Sequence, residues 1–316
     1  MNQSKLNRRS FAKLASGMAL APFLSNAYGQ SSSNGKLLII GGAEDRLNDR
    51  VILKKFIEVS GGPSAKLKFI LTASSDPTSV WESYSKVFKE LGATQVEAIP
   101  LLTREDANQP EVILSILESD GIFMTGGDQS RLMAQLWETP SFQAIHQAFH
   151  IKGVCIAGTS AGAAVMSRQM IAQGQATLIP EKDVVSFDIG LGLVNRAIID
   201  QHFSQRRRLT RLLSALAQRP DVLGVGIDEN TGLLIQMHKS IEVIGDGSVT
   251  IVDGRRMISN YEEIESQEKL ELLGVQLHLL PSGRTYFANN RAQDLHAAPS
   301  LIDAINVLVQ PGPARI

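Results

Sequence analysis

Residues 36–164 alternate short apolar runs with amphipathic stretches, and this alternation constrains the fold more than any other feature of the sequence. Runs typical of β-strands lie at 36–40, 66–72, 95–102, 121–125 and 153–157. Stretches typical of helices lie between and after them, at 46–60, 79–91, 110–117, 130–150 and from Ala161 onward. The alternation predicts a mostly parallel central sheet with helices on both faces, a three-layer α/β/α fold. Ligands in such a fold bind at the carboxyl ends of the strands.

The second half of the chain changes character. Residues 239–253 and 273–287 each predict a β-hairpin, with Gly245-Asp246-Gly247 and Pro281-Ser282-Gly283 as the turns. No linker-like segment separates the two halves, and no internal repeat is present. We therefore expect residues 36–316 to form a single domain with antiparallel additions to the sheet.

Composition excludes several classes of protein. A formal net charge of −1 over 316 residues removes the general electrostatic basis for binding nucleic acid. The single cysteine, Cys155, cannot form an intrachain disulfide. Because it lies in the apolar run Val154–Ala157, we interpret it as a buried, inert strand residue.

The N-terminus has the pattern of an export signal. Residues 7–13, Asn-Arg-Arg-Ser-Phe-Ala-Lys, resemble the twin-arginine motif, and a weakly apolar stretch follows from Leu14 to Leu24. Small residues around Gly29 suit a signal peptidase, so residues 1–29 predict a signal peptide and 30–35 a flexible lead-in. The apolar stretch is too short to span a membrane. The alternative is a cytosolic tail with a chance arginine pair; we expect export to the periplasm or beyond the cell.

Residues 154–164 predict a strand, a sharp turn and a helix around Ser160. Gly158 and Gly162 flank this serine in the pattern G-x-S-x-G, in which small neighbours allow a strained turn that exposes the hydroxyl. The helix beginning at Ala161 directs free N–H groups at the same point, so the Ala161 N–H is a candidate oxyanion donor. The alternatives are a turn that only packs a helix against a strand, and a phosphate-binding turn.

A nucleophilic serine needs a base, and His202 is the strongest candidate among the six histidines. It follows an apolar run, 197–199, that predicts another strand, so it lies where catalytic groups gather. His146 and His150 share one helical face, but no third metal ligand with a motif accompanies them. We expect no metal and no cofactor.

The acid that orients the histidine is expected at the end of one more strand. Asp228 and Glu229 follow the run 224–227 and point to opposite faces if the strand continues, so the pattern alone leaves both open. The order serine, histidine, acid differs from the order serine, acid, histidine of typical α/β-hydrolases. The chain is therefore not expected to be one of them.

Five motifs stand in order along the chain: Gly41-Gly42-Ala43-Glu44-Asp45, Gly126-Gly127-Asp128-Gln129, Gly158-Thr159-Ser160-Ala161-Gly162-Ala163, Asp200-Gln201-His202-Phe203 with Arg206, Arg208 and Arg211, and Gly226-Ile227-Asp228-Glu229. Together they resemble the motifs of the cyanophycinases, serine peptidases of family S51 related to aspartyl dipeptidase (peptidase E). The resemblance runs from about residue 36 to at least 234, and its most specific part is the pattern D-Q-H-F-x-x-R-x-R-x-x-R-L.

The resemblance implies a catalytic triad of Ser160, His202 and Glu229, and so selects Glu229 over Asp228. It also implies a fold like that of class I glutamine amidotransferases (flavodoxin-like), commonly as a homodimer. The implied substrate is cyanophycin, a polyaspartate with arginine attached through each β-carboxyl, which such enzymes cleave to β-aspartyl-arginine dipeptides.

A site for this polymer needs fixed cations and fixed acceptors together. We expect Arg206, Arg208 and Arg211 to bind carboxylates of the substrate through two parallel hydrogen bonds each, and Asp200 to pair with a guanidinium group of the substrate. Gln129 and Gln201 are expected to hydrogen-bond the aspartate unit. The N–H of Gly127 is expected to be a second oxyanion donor. The motif at 41–45 is expected to shape the first strand–helix turn rather than to touch substrate.

Three rival functions are weaker. A dipeptidase of the same fold acting on short aspartyl or isoaspartyl peptides does not need the three arginines and Gln129. A binding protein without catalysis does not need a complete serine, histidine and glutamate set. Nucleotide binding at the Gly158 turn lacks both the lysine of a P-loop and a G-x-G-x-x-G motif.

Export predicts a processed N-terminus. N-terminal sequencing of the protein recovered outside the cytoplasm is expected to begin just after Gly29, and replacing Arg8 and Arg9 by Lys is expected to retain the protein inside the cell. A mature chain that still begins at Met1 would exclude the signal peptide.

Overall fold

The computed structural model describes residues 35–288 and 298–316. The predicted signal peptide, residues 1–29, and all but the last residue of the predicted lead-in, residues 30–35, lie outside these described residues. Among the described residues, no helix combines the length and apolarity needed to cross a membrane.

The described residues form strands and helices that are numbered here along the chain. The strands are β1 Lys36–Ile40, β2 Lys66–Ile70, β3 Gln95–Ala98, β4 Gly121–Met124, β5 Cys155–Thr159, β6 Gln169–Gly174, β7 Val185–Ile189, β8 Ala197–Gln201, β9 Leu223–Ile227, β10 Thr231–Gln236, β11 Ser240–Gly245, β12 Ser248–Asp253, β13 Ile258–Ser259, β14 Leu272–Leu273, β15 Gln276–Pro281 and β16 Arg284–Phe287. The α-helices are α1 Val51–Val59, α2 Pro77–Glu90, α3 Pro110–Leu117, α4 Gln129–Leu136, α5 Pro140–His150, α6 Ala161–Ala164, α7 Leu209–Gln218 and α8 Pro299–Leu308.

The central sheet has eight strands in the order β16-β11-β10-β1-β5-β4-β2-β3. The five strands of the predicted alternation, β1 to β5, all run parallel, which confirms the mixed α/β fold with a mostly parallel sheet. Both faces of this sheet are covered: Leu37 and Ile39 of β1 pack in one apolar cluster, whereas Leu38 and Ile40 pack in another. Strands buried on both faces have near-continuous apolar sequences, which is why β1, β2, β4 and β5 were visible in the sequence. Strand β3 lies at the edge of the sheet, and its positions are exposed or half-buried.

A second sheet, in the order β15-β12-β9-β8, stands beside the first. Strands β8 and β9 run parallel, and the antiparallel strands β12 and β15 extend them. The residues that follow β8 and β9 return to the carboxyl end of β1. The second sheet therefore brings later parts of the chain to the edge where β5 ends.

The two predicted hairpins are wrong in their pairing. Strands β11 and β12 do not pair with each other; β11 pairs with β10 and β16, and β12 pairs with β9 and β15. The segments 245–247 and 281–283 are crossings from one sheet to the other rather than hairpin turns. An antiparallel hairpin instead joins β10 to β11 around residues 237–239. Glycine and proline mark a break in a strand, and here the break is a change of sheet rather than a reversal.

Two predicted helices are shorter than the sequence indicated. The carboxylate of Asp45 accepts hydrogen bonds from the N–H groups of Leu47, Asn48 and Arg50. Because these bonds hold residues 45–50 in a loop, α1 begins only at Val51. The stretch 130–150 is two helices, α4 and α5, because Pro140 has no N–H for a continuous helix. Thr139 caps the second one by accepting from the N–H of Phe142.

Candidate active site

Ser160 occupies a strained turn between β5 and α6. Its φ of 52° and ψ of −111° are unfavourable for a residue with a side chain. Glycine is required on both sides, because a Cβ on Gly158 would lie 2.2 Å from the carbonyl oxygen of Gly162, and one on Gly162 would lie 2.3 Å from that of Met124. The turn therefore holds its strained shape by close backbone packing and presents the Ser160 hydroxyl at the strand end.

Three side chains form a hydrogen-bonded relay at this point. The Oγ of Ser160 lies 2.9 Å from Nε2 of His202, and Nδ1 of His202 lies 2.6 Å from Oε1 of Glu229. A carboxylate oxygen can only accept, so the Nδ1–H of His202 donates to Glu229. Nε2 is then free to accept from the hydroxyl of Ser160. This tautomer is the one that a general base next to a nucleophile requires.

Three consecutive carbonyls at the end of β1 hold the elements that carry these side chains. The carbonyl of Ile40 accepts from the N–H of Ser160 at 3.1 Å, and that of Gly41 accepts from the N–H of His202 at 2.8 Å. The carbonyl of Gly42 accepts at 2.9 Å from the N–H of Asn230, which follows Glu229 directly. We call these three groups the β1 carbonyl row. They fix three distant parts of the chain to one rigid strand end.

The glycines of the β1 carbonyl row are needed for close approach. A Cβ on Gly41 would lie 2.0 Å from the carbonyl oxygen of Asp228. Gly42 has a φ of 98°, and its Cβ would lie 2.3 Å from Cε1 and 2.5 Å from Nε2 of His202. The motif at 41–45 therefore does more than shape a strand–helix turn, because its backbone also packs against the imidazole.

Asp228 and Glu229 have different partners. The carboxylate of Asp228 accepts from the N–H and hydroxyl of Ser204 on one oxygen, and from the N–H and hydroxyl of Ser248 on the other. Burial raises the pKa of Asp228, but these four donors together hold its pKa below the ordinary value. Asp228 thus fixes the turn after His202 to strand β12, while Glu229 faces the imidazole.

The environment of His202 favours the neutral imidazole. The residue is 8% exposed, and this burial is the largest cause of a pKa below the ordinary histidine value. The positive charges of Arg206 and Arg208 lower the pKa of His202 further, against the opposing effect of Glu229. His202 is therefore deprotonated and able to accept a proton at neutral pH.

The two predicted oxyanion donors, the N–H groups of Ala161 and Gly127, belong to residues that directly follow Ser160 and its neighbour Gly126. Ala161 is the first residue of α6, so its N–H has no intrahelical acceptor. Gly126 adjoins the nucleophile: a Cβ there would lie 3.3 Å from Cβ of Ser160. Gly127 follows with a φ of 139°, and its position is fixed because the next N–H, that of Asp128, donates to the carbonyl of Ala73 at 2.8 Å.

Asp200 and Arg211 have a role that the sequence did not predict. Asp200 is 0% exposed, and its carboxylate accepts from both Nε and Nη2 of Arg211. Nη1 of Arg211 donates to the carbonyl of Gly174 at 3.0 Å. The two charges compensate each other inside the protein, joining β8, α7 and β6. This arrangement does not match the predicted contacts of Asp200 with a guanidinium and of Arg211 with a carboxylate of the substrate.

The other predicted binding residues are either exposed or make hydrogen bonds within the protein. Arg206 is exposed, and its N–H donates to the carbonyl of His202. Arg208 donates through Nη1 to Asp200 and to both the main chain and side chain of Gln201. Burial lowers the pKa of Arg208 to about 10, which leaves it cationic at neutral pH. The side-chain amide of Gln129 donates to the carbonyls of β6 at Ile171 and Ala172.

Glu44, a buried acid next to the turn that carries Ser160, was not predicted from the sequence as part of the site. Glu44 is 4% exposed; it accepts from the hydroxyl of Thr159 at 2.5 Å and from the hydroxyl of Tyr84. Burial, with the charge of Glu44, raises the pKa of Tyr84 well above its ordinary value. Thr159 directly precedes Ser160, so this cluster supports the strained turn from below. The sequence showed Glu44 within a motif, but no pattern pointed to Tyr84.

Gln205 was also missed. Its side-chain oxygen accepts from the N–H of Glu229 at 3.0 Å, which fixes the acid to the turn after His202.

His146 and His150 pack on α5 with stacked rings, and burial lowers the pKa of His146 to about 4. Within the described ranges, no three histidine, cysteine or acidic side chains are grouped to hold a metal ion.

Comparison with known proteins gives a consistent family. The sequence model of peptidase family S51 matches residues 37–243. A cyanophycinase of Synechococcus elongatus is 39% identical over 271 residues, covering 85% of this chain and 84% of that protein. A cyanophycinase of Geminocystis herdmanii is 40% identical over 251 residues, covering 79% of this chain and 92% of that protein.

The fold is also found in a solved structure. A peptidase from an acI-B1 actinobacterium superposes with a TM-score of 0.58 at 22% identity, over 81% of this chain and 98% of that one. At this level of identity the similarity concerns the fold alone.

Replacing Gly42 by Ala is expected to displace the imidazole of His202, because the new methyl group would overlap the ring. A displacement of about 1 Å at a catalytic group costs on the order of 10²-fold in rate. The matched control is Gly92→Ala. Gly92 also has a positive φ, 87°, but a Cβ there would meet no described atom within 4 Å beyond its chain neighbours. Circular dichroism and kcat/KM are measured for both; equal activity of the two variants would contradict the contact with His202.

The pH dependence of kcat/KM tests the charge environment of His202. The acid limb is expected below pH 6.5, the ordinary histidine pKa, because the pKa of His202 is lowered and activity is lost only as pH falls through it. Arg206→Gln removes one of the charges that lower this pKa, so its acid limb is expected at higher pH than in the wild type. An unchanged or downward-shifted limb in the variant would exclude the assigned influence of Arg206.

Proposed function

Because the chain belongs to peptidase family S51, we propose that it hydrolyses cyanophycin to β-aspartyl-arginine dipeptides as a serine exopeptidase. Family membership makes the chain a serine-type peptidase. The substrate is inferred from the two cyanophycinases described above. The observation that carries the catalytic proposal is the relay from Ser160 through His202 to Glu229, with its 2.9 Å and 2.6 Å contacts.

In the proposed first step, the Oγ of Ser160 attacks a backbone carbonyl of the polymer. His202 takes the hydroxyl proton at Nε2, and Glu229 holds the imidazole at Nδ1 and stabilises the cation that forms. The carbonyl oxygen becomes negative and is held by the N–H groups of Ala161 and Gly127. Loss of one such donor costs about 10²–10³-fold in turnover.

The tetrahedral intermediate then collapses. The C–N bond breaks, His202 returns the proton to the leaving amine, and an ester of Ser160 remains. A water molecule gives its proton to His202 and attacks this acyl-enzyme. In the second collapse the C–O bond to Ser160 breaks, and His202 returns its proton to Oγ, which restores the hydroxyl. The product leaves as a carboxylic acid and gives its proton to the solvent, so protons and bonds balance over the cycle.

Substrate selection is proposed to rest on the cations beside His202. Arg206 is exposed and Arg208 remains cationic, so both can meet the free α-carboxylates that the arginyl groups of cyanophycin carry. Gln201 lies with Arg208 and supplies a further polar group. Asp200 and Arg211 are proposed to position β8 and α7 behind these residues through their buried ion pair.

Two further proposals concern where the enzyme acts and in what form. The sequence of residues 1–29 supports export by the twin-arginine route, to the periplasm or the medium. The family resemblance supports a homodimer.

Ser160→Ala is expected to abolish hydrolysis, with a loss of at least about 10⁴-fold, because the nucleophile is gone. Purified protein is incubated with insoluble cyanophycin, and the soluble products are identified by mass spectrometry as β-aspartyl-arginine. Retention of wild-type activity in the variant, with thermal unfolding unchanged, would contradict the assignment of Ser160. Cleavage of short aspartyl peptides without release of dipeptide from the polymer would instead favour a dipeptidase.

Glu229→Gln is expected to lower kcat by about 10⁴-fold, because an amide does not hold the imidazole in the required tautomer and does not stabilise its cation. Asp228→Asn is the matched control next to it in the chain. It is expected to retain far more activity, because Asp228 does not contact His202. If the two variants lost activity equally, Glu229 would not be the residue that orients the base.

A further inference from the structure

A polar cavity lies away from the catalytic residues. It has a volume of about 460 Å³ and lies between the start of β6 and the amino ends of β8 and β9. Its lining includes Arg168, Asn195, Arg196, Arg219 and Asp221. Three arginines and one aspartate give this cavity a formal charge of +2, in a protein whose total formal charge is −1.

The three guanidinium groups of this cavity differ in their partners. Arg219 and Asp221 form a two-pronged pair, with N···O distances of 3.1 Å and 3.0 Å. Arg168 makes a long bond of 3.4 Å to the side-chain oxygen of Asn195. In the part of the chain that the structure describes, no carboxylate lies within ion-pair distance of Arg168 or Arg196. Arg219 chiefly, and also Arg196, lowers the pKa of Asp221, so this acid is ionised and adds no hydrogen-bond donor.

The cavity lies at the opposite end of the strand that leads to the catalytic histidine. Ala197 lines the cavity and begins β8, whereas His202 follows the last residue of β8. At about 3.3 Å per residue, the length of this strand separates the cavity from the end that carries His202 by about 13 Å. A dipeptide bound at Ser160 is too short to contact the cavity at the same time, whereas a polymer is not.

We propose that this cavity is a second binding site for a polymer rich in carboxylates, with Arg168 and Arg196 as its anion-binding groups. The forked guanidinium group matches a carboxylate with two parallel hydrogen bonds. The identification of the polymer as cyanophycin rests on the function proposed above; the binding of carboxylates does not. The site holds a long substrate while its end is cleaved elsewhere on the protein.

The lining favours a carboxylate polymer over a nucleic acid. None of the described residues that line the cavity is aromatic, so no platform for stacking bases is present. Single-stranded oligonucleotide is therefore used as the competing ligand in the test.

Binding is measured without turnover. Fluorescently labelled poly-L-aspartate is titrated with the Ser160→Ala protein and with the same protein carrying Arg168→Gln and Arg196→Gln. The dissociation constant is expected to rise by at least about tenfold in the second protein, because two charge-assisted carboxylate contacts are lost. The control carries Lys86→Gln and Lys89→Gln instead, the same loss of charge at exposed positions of α2. Equal affinity of the arginine variant and the lysine control would overturn the proposal, as would oligonucleotide binding that is tighter and lost with the same arginines.

Kinetic measurements of turnover distinguish this site from the catalytic one. In the otherwise wild-type enzyme, the double arginine variant is expected to raise KM for cyanophycin and to leave kcat/KM for a short soluble fragment unchanged. Equal losses on both substrates would place the arginines in the catalytic site and overturn a separate polymer site. If cyanophycin is not hydrolysed by the wild type, the proposed function fails, while poly-L-aspartate binding still decides whether the cavity takes carboxylates.

Discussion

The geometry of the active site depends on the β1 carbonyl row, the consecutive carbonyl groups of Ile40, Gly41 and Gly42. A single strand end receives the N–H groups of Ser160, His202 and Asn230. Because β1 lies near the middle of the eight-stranded sheet and is buried on both faces, these acceptors cannot move independently. The relay contacts of 2.9 Å and 2.6 Å thus depend on backbone hydrogen bonds to the end of a strand buried on both faces. Precise positioning of this kind is what nucleophilic catalysis requires.

Acidic residues around the site divide into one that faces the imidazole and three that brace the surrounding backbone. Asp228 joins Ser204 to Ser248, Asp200 is paired with Arg211, and Glu44 binds Thr159 and Tyr84. Each of these carboxylates is nearly or fully buried and has partners on both oxygens, so removing a partner leaves a costly buried charge. Glu229 differs, since about a third of its side chain is exposed and its contact is with His202. Because these three acids keep their partners, the imidazole of His202 is the group whose charge changes during catalysis.

Much of this arrangement could be predicted from the sequence, and the remainder has identifiable physical causes. The parallel strands β1, β2, β4 and β5 were visible because strands buried on both faces are continuously apolar, and Ser160 was visible through its flanking glycines. The sequence placed Asp200 and Arg211 beside the catalytic histidine but did not show that they pair with each other, because a sequence does not show which charges meet inside a fold. The pairing of β11 and β12 failed for a similar reason: a glycine-rich break has the same composition whether the chain reverses or changes sheet. Glu44 and Tyr84 meet across 40 residues of chain, and no local pattern encodes such a contact.

The most direct test of this account is the site and pH dependence of covalent labelling by a fluorophosphonate, which reacts with a serine only when a neighbouring base activates it. Intact-protein and peptide mass spectrometry are expected to find one label per chain, on Ser160, formed at a rate that falls as pH drops below 6.5, the ordinary histidine value. The label is expected to be absent from His202→Ala. Labelling that persists at the wild-type rate without His202, or that modifies a different serine, would contradict the claim that the strand end of β1 assembles an activated nucleophile.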